Sequence, residues 1–122
     1  MAAFNWVEIS SICPTCSART SIRAQSHVAA SFENDSQGRF CLQEYKVGDR
    51  MRWWRKGENK YEEWKASAQN VAADHQSVQE CCYASCVAKG DRLFVILEFS
   101  DLIVKKVIEI GKEENWPAQY PR

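Results

Sequence analysis

Five of the six cysteines in this chain of 122 residues fall into two tight groups. The first is "ICPTCS", with Cys13 and Cys16 three positions apart. The second is "QECCYASC", with Cys81, Cys82 and Cys86 inside six positions. Zinc takes four ligands in a tetrahedron, with sulfur at about 2.3 Å, and two cysteines three apart on a tight turn can reach one ion together. Cys86 paired with Cys82, or with Cys81, supplies a second couple. The favoured reading is a four-thiolate site of Cys13, Cys16, Cys82 and Cys86, joining a turn after the first strand to a turn before the last hairpin. Cys81 stays open as the third ligand, and iron stays open beside zinc. Four thiolates leave no position for water, so such an ion is structural. Its binding adds folding free energy on the order of 10 kcal/mol.

Other chemistry fits these thiols less well. Cysteines are often small buried hydrophobes, and Cys41, inside a predicted strand, suits that description and receives no metal role. His75 in "ADHQSVQECC" can replace one thiolate, although a lone histidine after an aspartate is usually solvated. A redox reading makes Cys13 the nucleophile and Cys16 the resolving thiol. It lacks the βαβ units and facing proline of thioredoxin-like proteins, since the prolines are Pro14, Pro117 and Pro121, and it leaves the second group unexplained. The start "MAAFNWVEIS" shows no export signal, which favours a cytoplasmic chain with reduced thiols over a disulfide framework.

A second motif is "DRMRWWRKG", residues 49–57, where Arg50, Arg52, Arg55 and Lys56 interleave with Trp53 and Trp54. Indoles can stack bases while cations follow phosphates. The plainer reading is a strand with one tryptophan in the core and the other exposed beside arginines, a pattern common at protein interfaces. Arg52, Trp53, Trp54 and Arg55 are therefore the candidate partner-binding residues, with a protein favoured over nucleic acid. The nearby Glu58, Glu62 and Glu63 work against a phosphate-tracking groove. No catalytic constellation accompanies these residues: there is no glycine-rich phosphate loop, and neither His27 nor His75 neighbours a nucleophile setting. The chain reads as a non-enzyme.

Composition agrees with one soluble domain. Apolar residues are 45%, charged residues 26%, and sixteen basic residues balance sixteen acidic ones. Such neutrality argues against tight nonspecific nucleic-acid binding. The longest apolar run, "LFVIL" at 93–97, is too short to span a membrane.

The elements that must position the cysteines follow from periodicity. "NWVEISSIC", residues 5–13, reads as a strand leading into the first pair, and the segment from Ser17 to Glu33 fits strand or helix. "NDSQG" is a turn, "RFCLQEYKV" a half-buried strand, and "KVGDR" a turn into extended "MRWW", together a hairpin. Tyr61, Trp64, Ala68, Val71 and Ala72 recur at helical spacing, predicting one amphipathic helix over 61–78. "RLFVILEFSDLIVKKVIEI" is a hairpin turning at Ser100–Asp101. That turn pairs Phe99 with Leu102 and Arg92 with Glu109. It gathers Leu93, Val95, Leu97, Phe99, Leu102, Val104 and Ile108 on one face and leaves Lys106 as the misfit. Residues 1–116 form the domain and 117–122 a frayed tail.

The run C-P-x-C, then "EYKVGDRMRWW", then a late cysteine pair before "VILEFSDLIVKKVIEI", resembles small bacterial zinc-ribbon proteins of unassigned activity. Those proteins usually carry glycine after each knuckle, where Ser17 and Val87 stand here. The resemblance implies a zinc-ribbon-like fold with an inserted helix, and in some cases a toxin-neutralising role. The overall expectation is an α+β, mainly antiparallel β domain. It is clipped by structural zinc and acts as a cytoplasmic protein-interaction module without membrane contact, the alternatives being a nucleic-acid-binding ribbon and a thiol redox protein.

Overall fold

The computed structural model describes residues 3–55, 57–66 and 77–121, apart from the side chain of Lys65. The described residues are mainly β: β1 (Asn5–Ile12), β2 (Arg19–Ser26), β3 (Ser31–Asp35), β4 (Gly38–Phe40), β5 (Glu44–Lys46), β6 (Val78–Cys86), β7 (Arg92–Ser100) and β8 (Ile103–Lys112), with one short α-helix among them, α1 (Asn59–Ala66). Six strands form one sheet in the order β5-β1-β2-β6-β7-β8, and β3 and β4 form a separate hairpin. Every pairing in the large sheet is antiparallel except β1 with β5.

The edges of that sheet meet. Just beyond β5, Gly48 N–H donates to Val104 O (2.7 Å), Met51 N–H donates to Leu102 O (2.6 Å), and Val104 N–H donates back to Asp49 O (3.0 Å). The sheet thus curls into a nearly closed barrel, its edges joined at Gly48–Met51 and Leu102–Val104, where they are covered against strand addition. Alternation fills its interior: Val7 and Ile9 from β1, Ile22 and Ala24 from β2, and Leu93, Val95, Leu97 and Phe99 from β7. Full burial of each large side chain contributes about 1.5–3 kcal/mol. Phe94 and Ile96 are buried on the other face of β7. Trp116 covers Phe94, with ring centroids 6.3 Å apart, and stacks on Tyr83 at 4.7 Å. That double coverage explains the unbroken apolar run of β7.

Several expectations need correction. The segment 17–33 resolves into β2 and β3. The strand expected over "RFCLQEYKV" is cut in two, because Leu42 takes φ 56° and sends β4 and β5 into different sheets. "MRWW" forms no strand and no hairpin with β5; it crosses to the far edge and turns its aromatic rings into a second small core. There Phe40, Trp54 and Tyr61 are buried with Trp53 and Trp64 packed against them. Tyr61 and Trp64 dock α1 onto this cluster, which a helix of about two turns needs to persist. The expected helix over 61–78 begins at Asn59, and Val78 instead opens β6; residues 67–76, including His75, lie outside the described residues.

The C-terminal hairpin exists, but its turn falls one residue later than expected. Asp101 and Leu102 both have positive φ (53° and 61°), so Ser100 pairs with Ile103 and Phe99 with Val104. Leucine seldom takes this conformation. It is held here by burial of Leu102, by Met51 N–H on its carbonyl, and by Arg50 Nη1 on Asp101 O (3.2 Å). Two register shifts follow in β8. They carry Lys106 off the apolar face to lie opposite Glu98, place Val107 and Ile110 against the core, and leave Ile108 exposed. Glu109 faces Ile96 and Arg92 faces Ser85, so the expected Arg92–Glu109 pair is not formed. The C-terminal segment folds back, with Tyr120 O–H donating to Gln79 Oε1 (3.0 Å) and Trp116 Nε1–H donating to Tyr120 O (2.8 Å).

Candidate metal centre

The turn after β1, the turn between β6 and β7, and the adjoining strand ends lie at one end of the barrel. Antiparallel pairing puts them there: β1 and β6 end where β2 and β7 begin. Cys13 follows β1, Cys16 precedes β2, Cys86 closes β6 and Asp91 precedes β7. Their donor atoms, three Sγ and one carboxylate oxygen, all lie within 4.8 Å of one another. Cys16 Sγ is 4.0 Å from Cys86 Sγ. Asp91 Oδ2 is 3.6 Å from Cys13 Sγ and 3.4 Å from Cys86 Sγ.

These spacings fit a tetrahedral ion. With zinc–sulfur bonds of about 2.3 Å and a zinc–oxygen bond of about 2.0 Å, the edges of the tetrahedron are about 3.8 Å between sulfurs and about 3.5 Å from sulfur to oxygen. Cys13 and Cys86 are buried, whereas Cys16 and Asp91 are half-buried. The buried sulfurs accept backbone hydrogen bonds, from Thr15 N–H to Cys13 Sγ (3.4 Å) and from Lys89 N–H to Cys86 Sγ (3.3 Å). Such outer bonds orient metal ligands and stabilise their charge.

The electrostatics of the cluster differ from thiol to thiol. Burial pushes the Cys86 thiol up, but backbone hydrogen bonds from Lys89 and Asp91 outweigh it and hold the group below the usual thiol range. At Cys16 the backbone of Ala18 pulls down, yet burial and the neighbouring Cys13, Asp91 and Cys86 raise the pKa to about 11. Without an ion, Cys86 therefore ionises more readily than Cys16, which keeps its proton. A cation that neutralises the cluster releases that proton.

The predicted ligands are only partly brought together. Cys13, Cys16 and Cys86 converge. Cys82 does not: it lies four residues back along β6, about 13 Å at the rise of a strand, with its thiol against Glu80 Oε1 at 3.4 Å. Burial and the Glu80 charge raise its pKa well above the thiol range, which keeps it a neutral donor. Cys81 points to the opposite face of β6, and Cys41 is buried between β4 and β5; neither belongs to the cluster. Asp91 is not among the ligands expected from the sequence, which are cysteines with His75 as the alternative to one of them. The signal available was its position directly after Gly90, at the foot of a strand that follows Cys86.

The candidate partner-binding residues are largely engaged inside the chain. Arg52 Nη2 donates to Asp35 Oδ1 (2.6 Å), its Nη1 to Arg39 O (2.9 Å), and its backbone N–H to Tyr45 Oη (2.9 Å). The rings of Trp53 and Trp54 pack against each other at 4.8 Å and against Phe40. Trp54 is buried and Trp53 half-buried, so neither is the exposed tryptophan expected from strand alternation. Beside them runs a groove of about 1120 Å³ lined by Arg50, Trp53, Arg55, Glu58 and Leu102 among others. Trp53 Nε1 is itself buried, without a hydrogen-bond partner among the described residues. Among the described residues, no helix is long and apolar enough to cross a membrane. Comparison with known proteins finds no matching family model, no matching curated protein and no matching solved structure.

Proposed function

We propose that this is a small metal-stabilised module of zinc-ribbon type, in which one structural zinc ion is held by Cys13, Cys16, Cys86 and Asp91. The observation that carries the reading is the convergence of four donor atoms, from two remote turns, within 4.8 Å. Four protein donors complete a tetrahedron, so the ion would fasten strand ends and would not activate water. The bond would link residues about seventy positions apart, a long closure whose chain entropy the ion offsets.

In this reading the surface, not the metal, meets a partner, and the partner is a protein. The groove beside Trp53 and Arg55 supports that assignment, because it combines half-buried aromatic surface with flanking arginines, the residue types that anchor protein contacts. Thermal unfolding with and without a chelator tests the metal role. Removal of the ion is expected to lower the melting temperature by tens of degrees, and re-addition of zinc to restore it. An unchanged melting temperature would refute the structural assignment.

A further inference from the structure

The two turns that carry the candidate ligands are built alike. In the first, Cys13 N–H donates to Ala18 O (2.9 Å) and Ser17 N–H donates to Cys13 O (2.9 Å). In the second, Cys86 N–H donates to Asp91 O (3.1 Å) and Gly90 N–H donates to Cys86 O (2.8 Å). The residue four beyond each opening cysteine is left-handed, Ser17 with φ 60° and Gly90 with φ 71°. In both turns the opening sulfur accepts a backbone N–H from within its own loop. Matched through the two backbone-to-backbone bonds of each turn, Cys13 corresponds to Cys86, Ser17 to Gly90, Ala18 to Asp91, and Cys16 to Lys89.

The counterpart of a ligand is thus an exposed lysine. An ammonium group has no lone pair to offer a metal, so the second turn supplies only one donor from the positions that supply two in the first. The missing donor comes two residues later, from the site where the first turn has the methyl group of Ala18. We infer that Lys89 and Asp91 together determine the ligand set of the centre. Lys89 withholds a fourth thiolate, and the Asp91 carboxylate completes a three-sulfur, one-oxygen site. The oxygen arm makes the site harder than a four-thiolate one and shifts it away from metals that demand sulfur, such as copper(I). This inference rests on the metal-binding reading above and adds to it the turn position from which a fourth sulfur would enter.

Cobalt(II) titration tests it, because sulfur-to-cobalt charge transfer in the near ultraviolet reports the number of thiolates. Wild-type protein is expected to bind one Co2+ with a three-thiolate spectrum. Asp91→Ala should weaken binding by at least about tenfold, given that even outer-sphere changes cost 10- to 100-fold. The double variant Lys89→Cys with Asp91→Ala should regain wild-type affinity and show stronger charge transfer from a fourth sulfur. Lys89→Cys alone, a change at an exposed side chain, should show the same fourth sulfur with Asp91 still present, which guards against misfolding of the double variant. The inference is overturned if Asp91→Ala binds Co2+ as wild type does, or if the introduced cysteine leaves both affinity and spectrum unchanged. Wild-type protein that takes up no Co2+ would refute the metal reading itself, and this inference with it.

Discussion

Ser17 and Gly90 share one backbone conformation, with φ of 60° and 71°, each four residues after a cysteine of the candidate metal centre and each donating its N–H to that cysteine's carbonyl. A Cβ at position 90 would meet nothing within 4 Å, so the conformation alone sets the cost of a side chain there. Gly90→Ala is expected to lower stability by about 1–2 kcal/mol in denaturant unfolding. Gly90→Asn should cost less, since asparagine enters the left-handed region more readily. Equal stability of the alanine variant and wild type would show that the turn relaxes.

The two buried cysteines of β6 have different surroundings, Cys86 in the candidate metal cluster and Cys82 against Glu80. Cys86→Ser should abolish stoichiometric metal binding and lower the melting temperature. Cys82→Ala should retain one metal per chain, measured by elemental analysis, while costing about 1 kcal/mol through loss of a buried side chain. Metal lost equally in both variants would put Cys82 back among the ligands.

His27 gives the molecule a pH dependence at the opposite end of the barrel. Its backbone N–H and Nδ1 both face Glu80 Oε2, at 2.9 and 3.1 Å, and Ser26 Oγ–H donates to Glu80 Oε1 at 2.7 Å. The hydrogen bond to Glu80 raises the pKa of His27, against a smaller opposing effect of burial and with help from the Glu80 charge. A raised folded-state pKa means stabilisation that is complete below the unfolded value of about 6.5 and lost as pH rises through the folded one. The stability difference between wild type and His27→Gln should therefore be larger at about pH 6 than at about pH 9. A difference that is flat or grows with pH would contradict the pairing.

Gly111 is set by packing. A Cβ there would lie 2.4 Å from Phe94 Cε2 and 2.6 Å from its Cζ, and that ring is buried beneath Trp116. Gly111→Ala is expected to cost about 1–3 kcal/mol by overpacking, read by thermal unfolding. Phe94→Leu in the same chain should recover part of the loss. A neutral Gly111→Ala would mean that the ring moves aside freely.

The parts of this molecule that the sequence made legible are those set by local pattern. Mixed apolar and polar residues with β-branched content marked β1, apolar runs about a two-residue turn marked the β7–β8 hairpin, and the spacing of Cys13 and Cys16 marked one turn of the candidate metal centre. What stayed hidden depended on long-range geometry. The hairpin turn slipped to Asp101–Leu102 because Met51, from a distant loop, holds a leucine carbonyl in place. Lys106 looked misplaced because two register shifts in β8 change which residues face inward. Trp53 and Trp54 read as strand residues, yet Phe40, Tyr61 and Trp64 draw their rings into a separate core. The fourth donor was missed because thiols on one strand at Cys82 and Cys86 seemed a pair, whereas strand rise keeps them about 13 Å apart.

X-ray absorption at the zinc edge of the purified protein tests the central claim most directly. The account predicts one zinc per chain, with three sulfurs at about 2.3 Å and one oxygen at about 2.0 Å. A protein with no stoichiometric metal, or a first shell of four sulfurs in the wild-type chain, would contradict it.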